Sequence, residues 1–197
     1  RGGDTVGLSG LLDESVARAL AIVSENDDAR PDGPELSTER RREIAEAVGI
    51  AAIKYADLSH NRTSDYVFSY DKMLALTGNT GAYMQYAYAR VRSIFRKGGV
   101  EPAALRETGG GIVLTEPAER ALGLALVRFS DALDNVVADY RPNHLTAYVY
   151  ELANAFSTLP NEVAIRSRSS SRLTYASACS IRAPGRAPES ASAASTR

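Results

Sequence analysis

Apolar residues recur at helical spacing through five segments of this 197-residue chain and stop recurring after Leu159. Leu8, Leu11, Leu12, Val16, Ala19, Leu20 and Val23 mark the first segment, over Leu8 to Ser24. Ile44, Val48, Ala51, Ala52, Tyr55 and Leu58 form a second stripe, in a helix that begins at Ser37 or Thr38 with Glu39 in its first turn. Gly78-Asn79-Thr80 supplies a turn whose Asn or Thr caps a third helix, from about Gly81 to Lys97, which Gly98-Gly99 stops. Thr115-Glu116-Pro117 opens a fourth, carrying Leu122, Leu126, Phe129, Leu133, Val136, Val137 and Tyr140 as one long stripe. Arg141-Pro142 breaks it, and Leu145, Tyr148, Leu152, Phe156 and Leu159 mark the fifth. Such a pattern with short connections dictates an all-α body of antiparallel neighbours.

Between these segments the signals are weaker. SENDDARPDGPE, acidic and rich in Pro and Gly, reads as a solvated loop. Asn61 to Asp71 has no helical period, and YVFSY fits a short strand or an extended loop; Met73 to Leu76 fits a helical turn. From Arg166 to Arg197, 22 of 32 residues are Arg, Ser or Ala, so the tail cannot bury enough surface to offset chain entropy and is expected to be disordered. An arginine-rich RNA-binding tail is the alternative reading of that stretch.

Charge narrows the function classes. Residues 1–165 hold 17 Lys and Arg against 23 Asp and Glu, whereas residues 166–197 hold six Arg against one Glu. An acidic body argues against general nucleic-acid binding, so any such role needs a local basic face. No apolar run reaches the ~18 residues of a membrane span, no signal segment opens the chain, and the single cysteine, Cys179, cannot form an intrachain disulfide. The expectation is a cytoplasmic protein without membrane association.

The third helix supplies a local basic face. It contains Arg90, Arg92, Arg96 and Lys97 and no acid. At ~100° per residue, Met84, Ala87, Tyr88, Val91, Ile94 and Phe95 fall in one arc, expected to face the core. Tyr83, Tyr86, Arg90, Ser93 and Lys97 fall beside it, with Gln85, Arg92 and Arg96 opposite. Tyr83, Tyr86 and Arg90, at i, i+3 and i+7, suit unstacked bases: aromatic and guanidinium planes stack on any base, and their polar atoms reach base edges or phosphates. The competing reading makes Tyr83 and Tyr86 tyrosines at the rim of the core and Arg90 a solvated charge.

Other polar residues carry less. His60 and His144 are isolated, with no second ligand at metal spacing. Gly109-Gly110-Gly111 does not sit between strand and helix as a phosphate loop does. Asp57, Asp65 and Asp71 read as caps or ion-pair partners, and Cys179 has no neighbouring base. No catalytic centre and no metal site is expected.

The motifs KYADL, NRTSDYVF, DKML, GNTGAYMQYAYARVRSIFRK and DYRPNHLTAYVYELANAFST together resemble the class I arginyl-tRNA synthetases, where the catalytic domain joins a helical anticodon-binding domain. Upstream, RGGDTVGLSGLLDESVARA is similar to the segment after that family's mobile signature loop; the resemblance covers about residues 1 to 158. It implies four parts: the end of a class I catalytic domain over 1–30, a helical connector over 31–80, an incomplete anticodon-binding bundle over 81–159, and a divergent tail over 160–197. It also implies that Tyr83, Tyr86 and Arg90, with Tyr148 as a weaker candidate, contact an arginine-accepting tRNA.

In the intact family enzyme, arginine and ATP (with Mg) give arginyl-adenylate, and the arginyl group then passes to the tRNA. The His-containing ATP motif and the signature-loop lysines are absent from this sequence. The expectation is therefore no cofactor within the chain, no DNA partner, and no activity by the chain alone. The switch after AFST to Arg, Ser and Ala is what a frame shift in GC-rich DNA produces. A bundle lacking its last helices exposes apolar faces and is expected to be marginally stable or to associate. Two other function classes remain open here: a stand-alone helical RNA-binding module, and a non-catalytic bundle that docks other proteins.

Overall fold

The structure, a computed structural model, describes residues 7–107, 112–159, 162–165 and 174–177. Eight helices carry the fold: α1 (Leu8–Asp28), α2 (Thr38–Ser59), α3 (Tyr70–Met73), α4 (Gly81–Gly98), α5 (Pro102–Glu107), α6 (Pro117–Val127), α7 (Phe129–Asp139) and α8 (Asn143–Ser157). Two short strands, β1 (Glu162–Ile165) and β2 (Thr174–Ser177), pair antiparallel, with β2 beside α4. The sequence did not announce that pairing. The rest of the tail after Leu159, Cys179 included, and the Gly109–Gly111 loop lie outside the described residues.

The first two helices form a close antiparallel pair because their facing residues are small. Ala19, Ala45, Ala52 and Ala56 are buried with Ile53, Met73 and Leu74. At the tightest point, a Cβ on Gly49 would stand 2.8 Å from the backbone nitrogen and Cα of Val16. The Ser15 hydroxyl is buried there and donates to the Gly49 carbonyl at 2.9 Å. The second helix also touches α4 and α8, and α8 in turn packs on α6 and α7. So α2 is the spine between the first hairpin and the C-terminal bundle.

Caps fix the helix ends where the sequence placed them. Ser37 accepts from the Arg40 N–H (3.2 Å), and Thr80 accepts from the Tyr83 N–H (3.1 Å). Gly99 closes α4 in the left-handed region at φ 62°, which glycine adopts without Cβ strain. Pro117 starts α6 after a capping box between Glu116 and Glu119.

Three expectations give way. The first helix runs to Asp28, through the acidic stretch read as solvated loop. Asp27 is buried at its end and accepts the backbone N–H groups of Glu35 and Leu36, each at 3.1 Å, while Arg41 reaches it at 2.7 Å. Burial pushes that carboxyl up, but the two backbone bonds and Arg41 outweigh it and hold it below the usual carboxylate range. The fourth apolar stripe is two helices, broken at Arg128 (φ −75°, ψ 5°). The Tyr148 hydroxyl, from α8, donates to the Ala125 carbonyl at 3.0 Å and satisfies one of the last-turn acceptors of α6. The short helix α5 has no apolar period and was not expected. Residues 66–69 are unpaired and lead into α3, which spans Tyr70–Met73 and so ends where the expected turn at Met73 to Leu76 would begin.

Candidate nucleic-acid interface

The residue types that make α4 a helix also set what it presents. Its N-cap hydroxyl holds Tyr83 in the first turn, and Gly81 lets that turn sit against α2, where a Cβ would meet the Ala51 carbonyl at 2.8 Å. On one side α4 touches α2, with the Gln85 side chain donating to the Ala47 carbonyl at 3.3 Å. On another it meets α8 through a polar aromatic cluster.

Tyr83 is the centre of that cluster. Its hydroxyl donates to Asn154 Oδ1 at 3.1 Å and lies 3.3 Å from the Ser157 hydroxyl. Its ring lies 6.5 Å from that of Tyr86, with 29° between planes, and meets Tyr150 edge-on at 5.8 Å. One turn further along, the Arg90 guanidinium sits 5.4 Å over the Phe156 ring. All four of these α4 and α8 aromatic residues, and Arg90, are partly buried, so each keeps some surface in solvent. Three ring faces, one guanidinium and an amide gathered between two helices can stack on bases and bond to their edges.

Tyr83, Tyr86 and Arg90 are therefore brought together, and Tyr148 is not with them. Tyr148 lies two positions before Tyr150, about 200° around the helix, and faces α6 and α7. Its ring is 5.7 Å from Phe129, and it lines a small polar cleft of about 190 Å³ with Arg128, Asp131, Asn135, His144 and Glu151. The partners missed in the sequence are Tyr150, Asn154 and Ser157. Their spacing of i, i+4 and i+7 on α8 was a legible signal, because it sets one polar stripe along a helix otherwise read only for its apolar face.

The helical wheel of α4 needs correction at three places. Tyr88, assigned to the core, is 65% exposed, and Ser93, assigned to the flank, is buried. Gln85, placed opposite the core, lies against α2. The cause is that α4 is gripped from two sides by α2 and α8, not from one. The arc of Met84, Tyr88, Val91 and Phe95 then borders an open apolar groove of about 540 Å³, closed on its other sides by Leu122, Leu126, Leu152 and Phe156 among others. Ala87 and Ile94 remain buried at its floor.

No group of three His, Cys, Asp or Glu among the described residues is arranged to hold a metal ion. His60 stacks on Tyr66 at 4.2 Å, and His144 lies 3.6 Å from Asp139; both are structural neighbours rather than ligands. Among the described residues no helix is long and apolar enough to cross a membrane.

Comparison with known proteins places this arrangement. The model of the DALR anticodon binding domain matches residues 84–182, and that of the class I (R) tRNA synthetase catalytic domain matches residues 1–70. The arginine–tRNA ligase of Chromobacterium violaceum is 51% identical over 157 residues, which are 80% of this chain and 26% of that protein. The Thermobifida fusca arginine–tRNA ligase is 50% identical, with the same two shares. In structure the chain is similar to Plasmodium falciparum arginyl-tRNA synthetase, with a TM-score of 0.67 and 31% identity over 79% of this chain and 28% of that one. It is also similar to the Thermus thermophilus enzyme, with a TM-score of 0.58 and 27% identity over 80% and 24% of the two chains. The chain spans about a quarter of the length of the curated relatives it matches. The two family matches and these relatives agree: the chain belongs to the class I arginyl-tRNA synthetase family and carries its DALR anticodon binding domain.

Proposed function

We propose that this chain is the C-terminal part of an arginyl-tRNA synthetase and that its α4–α8 face holds the anticodon stem-loop of an arginine-accepting tRNA. The observation that carries the reading is the cluster of Tyr83, Tyr86, Tyr150, Asn154 and Arg90. It offers stacking faces and edge-reading groups on one surface, on a helix that has four basic residues and no acid in an acidic body. Tyr148 belongs to a second, neighbouring patch on the α6–α7 side, beside a polar cleft rather than within the stack.

The division of labour follows. Residues 1–30 close the catalytic domain, 31–80 connect, 81–159 bind the anticodon arm, and 160–197 form a divergent tail. In the intact enzyme, ATP with magnesium and arginine supply the activated arginyl group, and the protein works in the cytoplasm. We propose RNA binding as the work of this stretch on its own, with arginine activation expected to need the rest of the enzyme.

A titration of the full chain with a labelled anticodon hairpin of an arginine tRNA tests this, with a hairpin of identical stem and altered loop as competitor. Saturable binding that the altered loop fails to displace is expected. Equal displacement by both hairpins contradicts loop recognition. Arginine-dependent exchange of pyrophosphate into ATP by the chain alone contradicts the absence of catalysis.

A further inference from the structure

Tyr55 stands at the meeting point of three elements. It projects from α2, and its hydroxyl lies 2.6 Å from Asn79 Oδ1, in the turn that leads into α4. The same hydroxyl lies 3.2 Å from the carbonyl of Thr146, in the first turns of α8. These partners are 24 and 91 positions away in sequence. Half-buried between them, the phenol is pushed up to about 12, mainly by desolvation, and stays a neutral O–H donor throughout the physiological range.

A second polar link ties α4 to α8 directly. Tyr83 reaches Asn154 and Ser157 near the far end of α8, whereas Tyr55 acts at its beginning. Nearby, Gly81 lets the start of α4 touch the Ala51 backbone, so the α4 entry turn is already seated on α2 one turn before Tyr55. The start of α8 also packs against α2. Its Thr146 is buried and spends its own hydroxyl on the Asn143 carbonyl at 3.0 Å. A hydroxyl carries one proton, so Tyr55 divides a single donor between the α4 turn and α8.

We propose that Tyr55 is a positioning residue: it fixes the start of α8 relative to the α4 entry turn, and so sets the distance between the tyrosines of α4 and those of α8. Its effect on RNA rests on the function proposed above; its effect on helix placement does not. Tyr55 acts through Asn79 and Thr146. It joins the connector to both halves of the binding face, which makes α2 the element through which the face is aligned.

The test uses the full chain with Cys179→Ser, spin labels at Glu46→Cys on α2 and Glu151→Cys on α8, both exposed sites, with and without Tyr55→Phe. Tyr55→Phe keeps the ring and removes the donor. At a temperature where both forms are fully folded by circular dichroism, the label–label distance distribution is expected to broaden, and the affinity for the anticodon hairpin to fall about fivefold. An unchanged, narrow distribution overturns the proposal. A broadened distribution with unchanged hairpin affinity overturns the link between positioning and binding. A broadened distribution in a chain whose parent does not bind the hairpin supports the positioning role and removes the RNA reading. Asn79→Ala, which removes the other side of the bond without touching α2, is expected to broaden the distribution in the same direction; a narrow distribution there contradicts the part played by the α4 turn.

Discussion

Replacing Gly49 by alanine adds one methyl group at the tightest point of the fold. The new Cβ would stand 2.8 Å from Val16 N and Cα and 2.9 Å from the Ser15 carbonyl, all backbone atoms that cannot rotate away. Ordinary contact begins near 3.4 Å, so α1 must retreat by about 0.6 Å in a close-packed interior. That retreat stretches the buried Ser15–Gly49 hydrogen bond, now 2.9 Å, toward the limit of a real bond. Overpacking costs about 1–3 kcal/mol. A strained buried hydroxyl adds about 1 kcal/mol. The better helix propensity of alanine returns about 1 kcal/mol. The net destabilisation is about 2 kcal/mol, or about 4–8 °C in the melting midpoint of a chain this long. Gly123→Ala is the control, because its Cβ would meet only the tip of the Leu114 side chain, which can swing aside. Thermal melts followed at 222 nm should show a clear loss for Gly49→Ala and little change for Gly123→Ala. A Gly49→Ala midpoint equal to or above the parent refutes the claim that small residues set the α1–α2 distance.

Asp27 has a folded-state pKa below its unfolded value, so its contribution is present above the unfolded pKa and disappears as pH falls through the folded one. Asp27→Asn should therefore cost stability at pH 7 and flatten the loss on the acid side, as read from urea midpoints between pH 7 and pH 2. Thr80→Ala removes the N-cap of α4 and should lower stability by about 1 kcal/mol in urea unfolding. The open groove beside Tyr88 and Leu126 should take up an apolar fluorescent dye in the native chain, and Leu126→Glu should lower that fluorescence with helix content unchanged.

How much of this was legible in the sequence depends on whether the deciding contact is local. Ser37, Thr80, Gly99 and the Glu116–Pro117 start act within four residues, and each helix end was readable. Asp27 was misread because its partners, Glu35, Leu36 and Arg41, lie 8 to 14 positions away and turn an acidic run from solvated loop into helix end. The break at Arg128 has no Gly or Pro to announce it; the hydroxyl that completes it comes from Tyr148, 23 positions beyond the carbonyl it meets. The candidate site divides in the same way. Tyr83, Tyr86 and Arg90 share one helix face and were found by spacing, whereas Tyr150, Asn154 and Ser157 join them only through the packing of α8 on α4. Tyr88 was placed inside because a wheel shows which residues share a face, not whether a neighbour covers it.

The central claim is that the α4–α8 face stacks on unpaired bases, and Tyr86 and Arg90 test it better than Tyr83. Tyr83 makes the hydrogen bonds that join α4 to α8, so its loss also disturbs the packing; truncation of Tyr86 or Arg90 keeps those bonds, though Arg90 also gives up its contact with the Phe156 ring. The measurement is the affinity of the full chain for the arginine-tRNA anticodon hairpin, compared with Tyr86→Ala and Arg90→Ala at fixed salt. Each substitution is expected to cost about 1–3 kcal/mol, with helix content unchanged. Parental affinity in both variants would contradict the account.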